Sequence, residues 1–460
     1  MHDSSSPASN AAQTVAPASA PAFASVVRDW TCPFCPLLCD DIEACVRDDQ
    51  TIAAPATNCA RLAQALTHFN AADSSCQPLL DGQPVAREAA LARAAQMLAQ
   101  ARRPLFGGCA TDVAGARALY ELAANCGAIL DTLHGEALSA ATLALQDRGA
   151  LFTTLSEVRS RADLLIVFGC APGARHPRFY ERTLADSTRA RDICFVACAT
   201  DPAASKIAHA HCEAMLEDAS PYDVLALWSA LAEGRNPAAF ASGPEDVAQV
   251  AAQLAALMAR IAAARYTVVI YEPAALPQPH AALLIEALHR IVKALNRTTR
   301  AGALGLGGAD GALTVNQTVT WLSGLPLATR VARLDRPDGA APLEHDPYRY
   351  RTAQLLAARE IDALLWVASF EPHPLPDALD PQVPAIVLGP PALASRIAQR
   401  AAPTVFIPVA TPGIDSGGHL FRLDTSVVAP LAPARHVNLP SVAELATDLA
   451  ERVGAQRRRS

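Results

Sequence analysis

Short runs of consecutive apolar residues alternate along this chain with longer stretches in which apolar positions recur every third or fourth residue. Asp163 to Gly169 is apolar without a break from Leu164 to Phe168, as expected of a parallel strand covered on both faces. Ile193–Ala199, Thr267–Tyr271, Ala363–Ala368, Ala385–Gly389 and Val405–Val409 read the same way, and Pro104–Gly107 is a shorter example ending in glycine. Asp41–Val46 alternates as a half-buried strand would. Helical spacing predicts helices over Arg87–Arg102, with Leu91, Ala94, Met97 and Leu98 on one face, and over Pro221–Ala232, Val247–Ala264, Ala281–Leu295 and Tyr350–Ala358. Strands alternating with helices predict an α/β fold with mostly parallel sheets. Ligands of such sheets sit beyond the carboxyl ends of the strands. That singles out two loops, Cys170–Arg178 after one strand and Ser369–Pro374 after another.

At 460 residues the chain exceeds one ordinary hydrophobic core. The composition shifts divide it into a Ser/Ala/Pro-rich disordered tail over residues 1–27, a cysteine-rich region over 28–80, α/β regions over 81–235 and 236–400, and a C-terminal region over 401–460 completing the fold. A net charge of -7, with Arg457-Arg458-Arg459 as the most basic run, offers no stripe to neutralise phosphates and argues against a nucleic-acid partner. Apolar windows of membrane-spanning length are interrupted by charge or proline, so no membrane is expected. Residues 1–27 lack a basic segment followed by an apolar one, and the twelve cysteines all fall at or before Cys212, unlike a disulfide scaffold. A reduced, cytoplasmic setting is the expectation, and in it thiols bind metal or stay inert.

Chemistry concentrates in Thr31–Arg61. Cys32, Cys35 and Cys39 stand at Cys-x2-Cys-x3-Cys on a proline-punctuated turn, and Cys59 follows. Four thiolates suit a [4Fe-4S] cluster or a structural zinc, and three crowded cysteines with a distant fourth fit the cubane better than paired zinc knuckles. Buried free thiols that merely pack are the other reading. Gly302–Gly311 contains glycine spacings reminiscent of a dinucleotide loop, but without a clear strand-then-helix context it reads equally as a loop where backbones pack closely. Walker, nucleophile-elbow and His-Glu-x-x-His motifs are absent.

Several islands occur together in one order: Cys32–Ile42 with Asn58-Cys59; Gly127–Asp131; Thr154–Val158 with Arg161–Asp163; Gly169–Pro172 with His176–Arg178; Asn316–Trp321 with Ser323–Pro326; and Pro408–Gly418 with Phe421–Asp424. In this colinear set the chain resembles the B subunit of formylmethanofuran dehydrogenase, within the molybdopterin oxidoreductase superfamily. The resemblance implies a multi-region molybdopterin-oxidoreductase-like architecture, an iron-sulfur cluster on Cys32, Cys35, Cys39 and Cys59, and a molybdenum or tungsten pterin in the cleft. It places His134, Gly135, Arg175, His176 and Arg178 in the pterin region. The guanidiniums of Arg175 and Arg178 suit phosphate or carboxylate recognition, or pair with nearby carboxylates.

Catalytic members of that family carry a metal-ligating cysteine in a Cys-His-Gly segment. Here His134-Gly135 is kept but Leu133 precedes it, and a leucine has no lone pair to offer a metal. Cys109 and Cys126 are the nearest thiols and are not assigned as ligands. The resemblance is therefore closest to the paralogue in the formyltransferase/hydrolase complex of methylotrophic bacteria. It implies a non-catalytic scaffolding subunit of one-carbon metabolism, serving formyl-methanofuran and tetrahydromethanopterin carriers, with amidohydrolase-like and formyltransferase subunits as partners. On that expectation the pterin is absent and its cavity is closed or partly filled by Leu133, Leu130 and Leu138. The alternative is an active pterin-dependent, iron-sulfur formylmethanofuran dehydrogenase subunit.

Overall fold

A computed structural model of the chain describes residues 23–71, 75–184, 189–240, 243–333, 341–400 and 403–458. Five parallel strands form one sheet in the order Ala210–Met215, Arg191–Val196, Leu164–Phe168, Thr267–Tyr271 and Ala301–Gly305. A nine-stranded sheet runs Leu343–His345, Thr329–Val331, Ile129–Leu130, Pro104–Ala110, Ala363–Ala368, Ala385–Gly389, Thr404–Pro408, Leu79–Leu80 and Gln83–Pro84. Its central five strands are parallel, and antiparallel pairs finish both edges. The chain is thus α/β with parallel and mixed sheets, and the uninterrupted apolar runs are the central strands, buried on both faces.

Two small antiparallel sheets complete the fold. Ser25–Trp30, Ile42–Val46 and Ile52–Ala53 form one, and Gly418–Phe421 with Val428–Leu431 the other. The first begins inside the segment expected to be a disordered tail, because Val26 and Val27 pair with Cys45 and Ala44; residues 1–22 lie outside the described ones. The expected boundaries do not follow the sheets. Strands from both sides of residue 235 share the five-stranded sheet, and the nine-stranded sheet takes strands from before and after it.

Helices fill both faces and their ends are chemically marked. Asp112 caps Val113–Cys126 by accepting from Gly115 N at 2.9 Å, Thr154 caps Leu155–Ser160 by accepting from Glu157 N at 3.1 Å, and Ser441 with Glu444 forms a capping box on Val442–Arg457. Part of the Thr154–Val158 island is therefore helix-start chemistry. Among the described residues one helix, Glu245–Ala263, has the length and composition to cross a membrane. It is amphipathic: Ala251, Leu254, Leu257 and Ile261 form a buried stripe, and the last three join the core around Phe168, Val196 and Val269.

The cysteine loop is fastened to a distant segment. Trp30 Nε1 donates to Gly413 O at 2.8 Å, and Leu423 N donates to Pro36 O at 2.8 Å. Asp415 accepts from Thr411 N at 3.1 Å and from Arg435 Nε at 2.8 Å, and both members of that ion pair are buried. The Pro408–Gly418 island is thus structural, tying the ends of the chain together.

Candidate functional site

Carboxyl ends of parallel strands from both large sheets open onto one cavity of about 620 Å³. Leu304 to Asp310, Tyr271 to Ala274, Ala174 to Pro177, His134, Glu371 and His373 all lie on its wall, most of them just beyond a strand end. Both loops singled out by the strand-end argument therefore reach it.

Asp310 is delivered by the glycine-rich segment, whose context differs from the expected loop. Ala301–Gly305 is a strand and Ala312–Ser323 a helix, so the turn between them is a strand-to-helix turn after all. Gly311 closes it at φ +72°, and a Cβ there would lie 2.3 Å from Thr111 O. Only glycine fits so close an approach in the left-handed region. His134 comes from the residue preceding helix Gly135–Arg148, and Glu371 and His373 from the loop after Ala363–Ala368, where Trp366 Nε1 donates to His373 O at 3.2 Å. Arg61 comes from helix Ala60–Ala71, two residues past Cys59.

These side chains meet around one buried carboxylate. Asp310 Oδ2 lies 3.2 Å from His134 Nε2 and 3.5 Å from His373 Nε2, while Arg61 Nη2 stands 3.8 Å from Asp310 Oδ1 and 3.6 Å from Glu371 Oε1. Burial alone would push the Asp310 carboxyl up. The hydrogen bonds of His134 and His373, with the Arg61 charge, outweigh burial and hold it far below the usual carboxylate range. Burial, followed by the Asp310 charge, raises Glu371 against the pull of Arg61 and His373. On His373 burial acts downward, but the bond to Asp310 wins and the imidazole is raised. The group can hold an ionised carboxylate away from water, orient two imidazoles and offer oxygen and nitrogen ligands to a cation.

A second pair lines the same cavity. Arg175 Nη1 lies 3.3 Å from the buried Glu272 Oε1, whose carboxyl burial raises. His176 is 2% exposed and neither ring nitrogen has a hydrogen-bond partner among the described residues. Burial, then Arg61 and Arg175, lower it to about 4, so it is neutral near pH 7.

Of the expected pterin-region residues, His134, Arg175 and His176 line the cavity and two do not. Gly135 lies beneath it, and a Cβ there would stand 2.7 Å from both carboxylate oxygens of Asp131. Arg178 points elsewhere: its Nη1 and Nη2 donate to Asp41 at 2.8 and 2.7 Å, and its Nε donates to Glu181 at 3.0 Å. It clamps the cysteine loop, as the carboxylate-pairing alternative expected. Of the two expected states of the cavity, closed or partly filled, the closed one is corrected. Leu133 packs with Leu38, Ala110 and Phe370, and Leu130 is wholly buried beside Phe106, so of the three leucines only Leu138 lines the space. Cys109 and Cys126 sit in the same apolar cluster as Phe106, where burial pushes both thiols up.

Cys32, Cys35, Cys39 and Cys59 come together beside the cavity, all against the core around Trp30 and Phe34. Cys32 N donates to Cys39 O at 2.9 Å and Leu38 N to Cys35 O at 3.0 Å, which folds three thiols onto one turn facing Cys59. Burial raises Cys32, and the other three thiols push it further in the same direction. No three of these sulfurs lie within 4.8 Å of one another. A tetrahedral zinc needs sulfurs about 3.8 Å apart, whereas a cubane takes each thiolate at a separate corner and spreads them wider. The spacing does not match a zinc site, and wide separation is common to the thiolates of a cubane and to thiols that merely pack.

Asp310 and Arg61 carry no signal in the sequence that marks them as site residues. The strand-end rule reached the loop of Glu371 and His373, but nothing in the composition marked Asp310 as its partner.

No family model matches the chain. It is 31% identical over 366 residues to the Fhc B subunit of the formyltransferase/hydrolase complex of Methylorubrum extorquens, covering 80% of this chain and 94% of that protein. It is 27% identical over 428 residues to the B subunit of tungsten-containing formylmethanofuran dehydrogenase 2 of Methanocaldococcus jannaschii, covering 87% and 92%. Among solved structures, a chain of the formyltransferase/hydrolase complex (FhcABCD) from Methylorubrum extorquens, in complex with methylofuran, superposes with a TM-score of 0.67 at 26% identity, over 83% of this chain and 100% of that one.

Proposed function

The chain belongs to the family of B subunits of formyltransferase/hydrolase complexes, and on that premise we propose that it is the scaffolding, non-catalytic B subunit of such a complex in one-carbon metabolism. The observation that carries this reading is the match along nearly the whole length of a B subunit, in sequence and in fold, to a protein of a multi-subunit assembly. Its partners are then the amidohydrolase-like and formyltransferase subunits, which handle formyl groups on methanofuran- and tetrahydromethanopterin-type carriers. The parallel and the mixed sheet, whose strand ends share a cleft, support a molybdopterin-oxidoreductase-like architecture.

Leu133 supports the absence of redox catalysis. It stands where catalytic relatives are expected to place a metal-ligating thiolate, its side chain is committed to apolar packing, and none of the described residues lining the cavity is a cysteine. On this reading no molybdenum or tungsten pterin is carried. Cys32, Cys35, Cys39 and Cys59 hold a [4Fe-4S] cluster that cross-braces the N-terminal turn to helix Ala60–Ala71. A cluster supplies electron transfer where a partner exists; here it serves as a staple.

The test is the reconstituted complex assayed two ways, by formate release from the formylated carrier and by reduction of a viologen dye. Formate release without dye reduction is expected. Dye reduction, or stoichiometric molybdenum or tungsten in the purified chain, would instead favour a catalytic dehydrogenase subunit, a reading to which the open cavity would lend space.

A further inference from the structure

The cavity holds a group of ligands that the scaffolding role does not use. We propose that Asp310, Glu371 and His373 form a binding site for a divalent cation of the hard or borderline class, with His134 fixing the Asp310 carboxylate from its other oxygen. One ligand atom from each of the three residues lies within 4.8 Å of the others. Metal–ligand bonds of about 2.0–2.2 Å set ligand atoms roughly 3–4 Å apart, so small side-chain shifts close the triad on an ion.

An independent observation points the same way. Asp310 is 3% exposed, yet its Oδ1 has no hydrogen-bond partner among the described residues, while His373 Nε2 stands 3.5 Å from the other oxygen of the same carboxylate. Leaving a buried carboxylate oxygen unsatisfied costs about 1–3 kcal/mol, and a cation beside Oδ1 satisfies it. Asp310 Oδ2 is engaged by His134 at 3.2 Å, which leaves Oδ1 as the ligand and makes His134 the outer partner that orients it. The Arg61 guanidinium does not fill this role. At 3.8 and 3.6 Å from the two carboxylates it is a loose counter-ion, and its own Nε is buried without a partner.

Two carboxylates and one imidazole without a thiolate suit Mn²⁺, Fe²⁺ or Zn²⁺ and not a soft monovalent ion. The ligand groups form part of the cavity wall, so coordination positions remain open on that side for water or a small oxygen ligand. The site lies beside the four thiols but favours a different metal, and it does not depend on the scaffolding role.

Manganese tests it, because this hard ion discriminates against the thiolates. The full-length chain, freed of metal by a chelator and exchanged into buffer, is titrated with MnCl₂ while the free-ion EPR signal is followed. One ion per chain should bind. E371Q and H373A should each weaken binding at least about tenfold, H134A should weaken it by about 10-fold or more through loss of orientation, and R61Q should tighten it by removing a competing cation. D310N should abolish it; if that buried variant fails to fold, E371Q and H373A at partly exposed positions decide the matter. Absence of saturable Mn²⁺ binding by a chain with native circular dichroism, or affinity unmoved by E371Q and H373A, overturns the proposal. So does weaker Mn²⁺ binding in R61Q, since a cation held by these two carboxylates must gain from loss of the guanidinium beside them.

Discussion

Replacing Arg178 by alanine should loosen the cysteine loop without touching the cavity. Arg178 is 10% exposed and joins Asp41, two residues past Cys39, to Glu181 on the following helix. Its fork donates to both oxygens of Asp41 at 2.8 and 2.7 Å and to Glu181 through Nε at 3.0 and 3.1 Å. Hydrogen bonds to charged groups contribute about 1.5–3 kcal/mol each when buried. Asp41 and Glu181 are 42% and 52% exposed, so solvent screening brings the sum for R178A down to about 1–3 kcal/mol. Lysine keeps the charge but cannot reproduce the two-pronged bond, so R178K should recover less than half of the loss. Urea unfolding followed by circular dichroism at pH 7 measures both variants. A pH series supplies a signature, because the hydrogen bond from Arg178 is the leading cause that holds Asp41 below its ordinary 3.8. A depressed carboxyl contributes stability that is complete above the unfolded value and is lost as pH falls through the folded one. The gap between wild type and R178A should therefore be full at pH 5–7 and narrow only below about pH 3.8. Equal stability of R178A and wild type at pH 7, or full rescue by lysine, would refute the clamp.

Asp131 should give the opposite pH dependence: burial raises its carboxyl from 3.8 to about 6 even though Thr352 donates to it through N at 2.6 Å and Oγ1 at 2.7 Å. Relative to D131N, wild type should hold a contribution of about 3 kcal/mol that is complete below pH 3.8 and lost as pH rises through 6, so that urea unfolding at pH 5 and 7.5 should differ by about 1.4 kcal/mol. G135A should destabilise by about 1–3 kcal/mol in the same assay, since its methyl would press on the Asp131 oxygens that Thr352 holds in place. C59S should remove the visible iron-sulfur absorbance of the anaerobically reconstituted chain while its far-ultraviolet circular dichroism stays native; a colourless, iron-free wild type would leave only packed thiols.

The sequence made some elements plain and hid others for identifiable reasons. Thr267–Tyr271, Ala363–Ala368, Ala385–Gly389 and the helices Pro221–Ala232 and Ala281–Leu295 appear at their expected bounds, because double burial and amphipathic spacing leave unambiguous patterns. Ala301–Gly305 was invisible: Ala-Gly-Ala-Leu-Gly has no β-branched residue, and it is a strand through pairing with Thr267–Tyr271, its Gly302 leaving room for the Tyr266 hydroxyl and Thr153. Ala312–Ser323 misleads in the other sense. Its Thr and Val residues favour a strand, but Thr318 and Thr320 return their hydroxyls to the carbonyls of Thr314 and Asn316, and Gly311 and Gly324 bracket the helix. With the strand and helix on either side of it concealed, the turn bearing Asp310 looked like a plain glycine loop. That Leu133 does not fill the cavity is not legible in the sequence, because its side-chain direction depends on neighbours as distant as Leu420 and Leu431.

The interleaving of the two large sheets sets an order on the birth of the protein. Strands Pro104–Ala110 and Ile129–Leu130 leave the ribosome well before their partners Ala363–Ala368 and Thr329–Val331, separated from the nearer one by residues 131–328. At ordinary elongation rates of about 5–20 residues per second that interval is roughly 10–40 s. The whole five-stranded sheet, from Leu164 to Gly305, emerges within it and can close on itself. Meanwhile the apolar face of the early strands must wait, an opening for a chaperone to hold them. The cavity, walled by both sheets, is among the last features the nascent chain acquires, so a truncation after Gly311, past the last strand of the five-stranded sheet, should yield a folded insert beside an unfinished, aggregation-prone sheet.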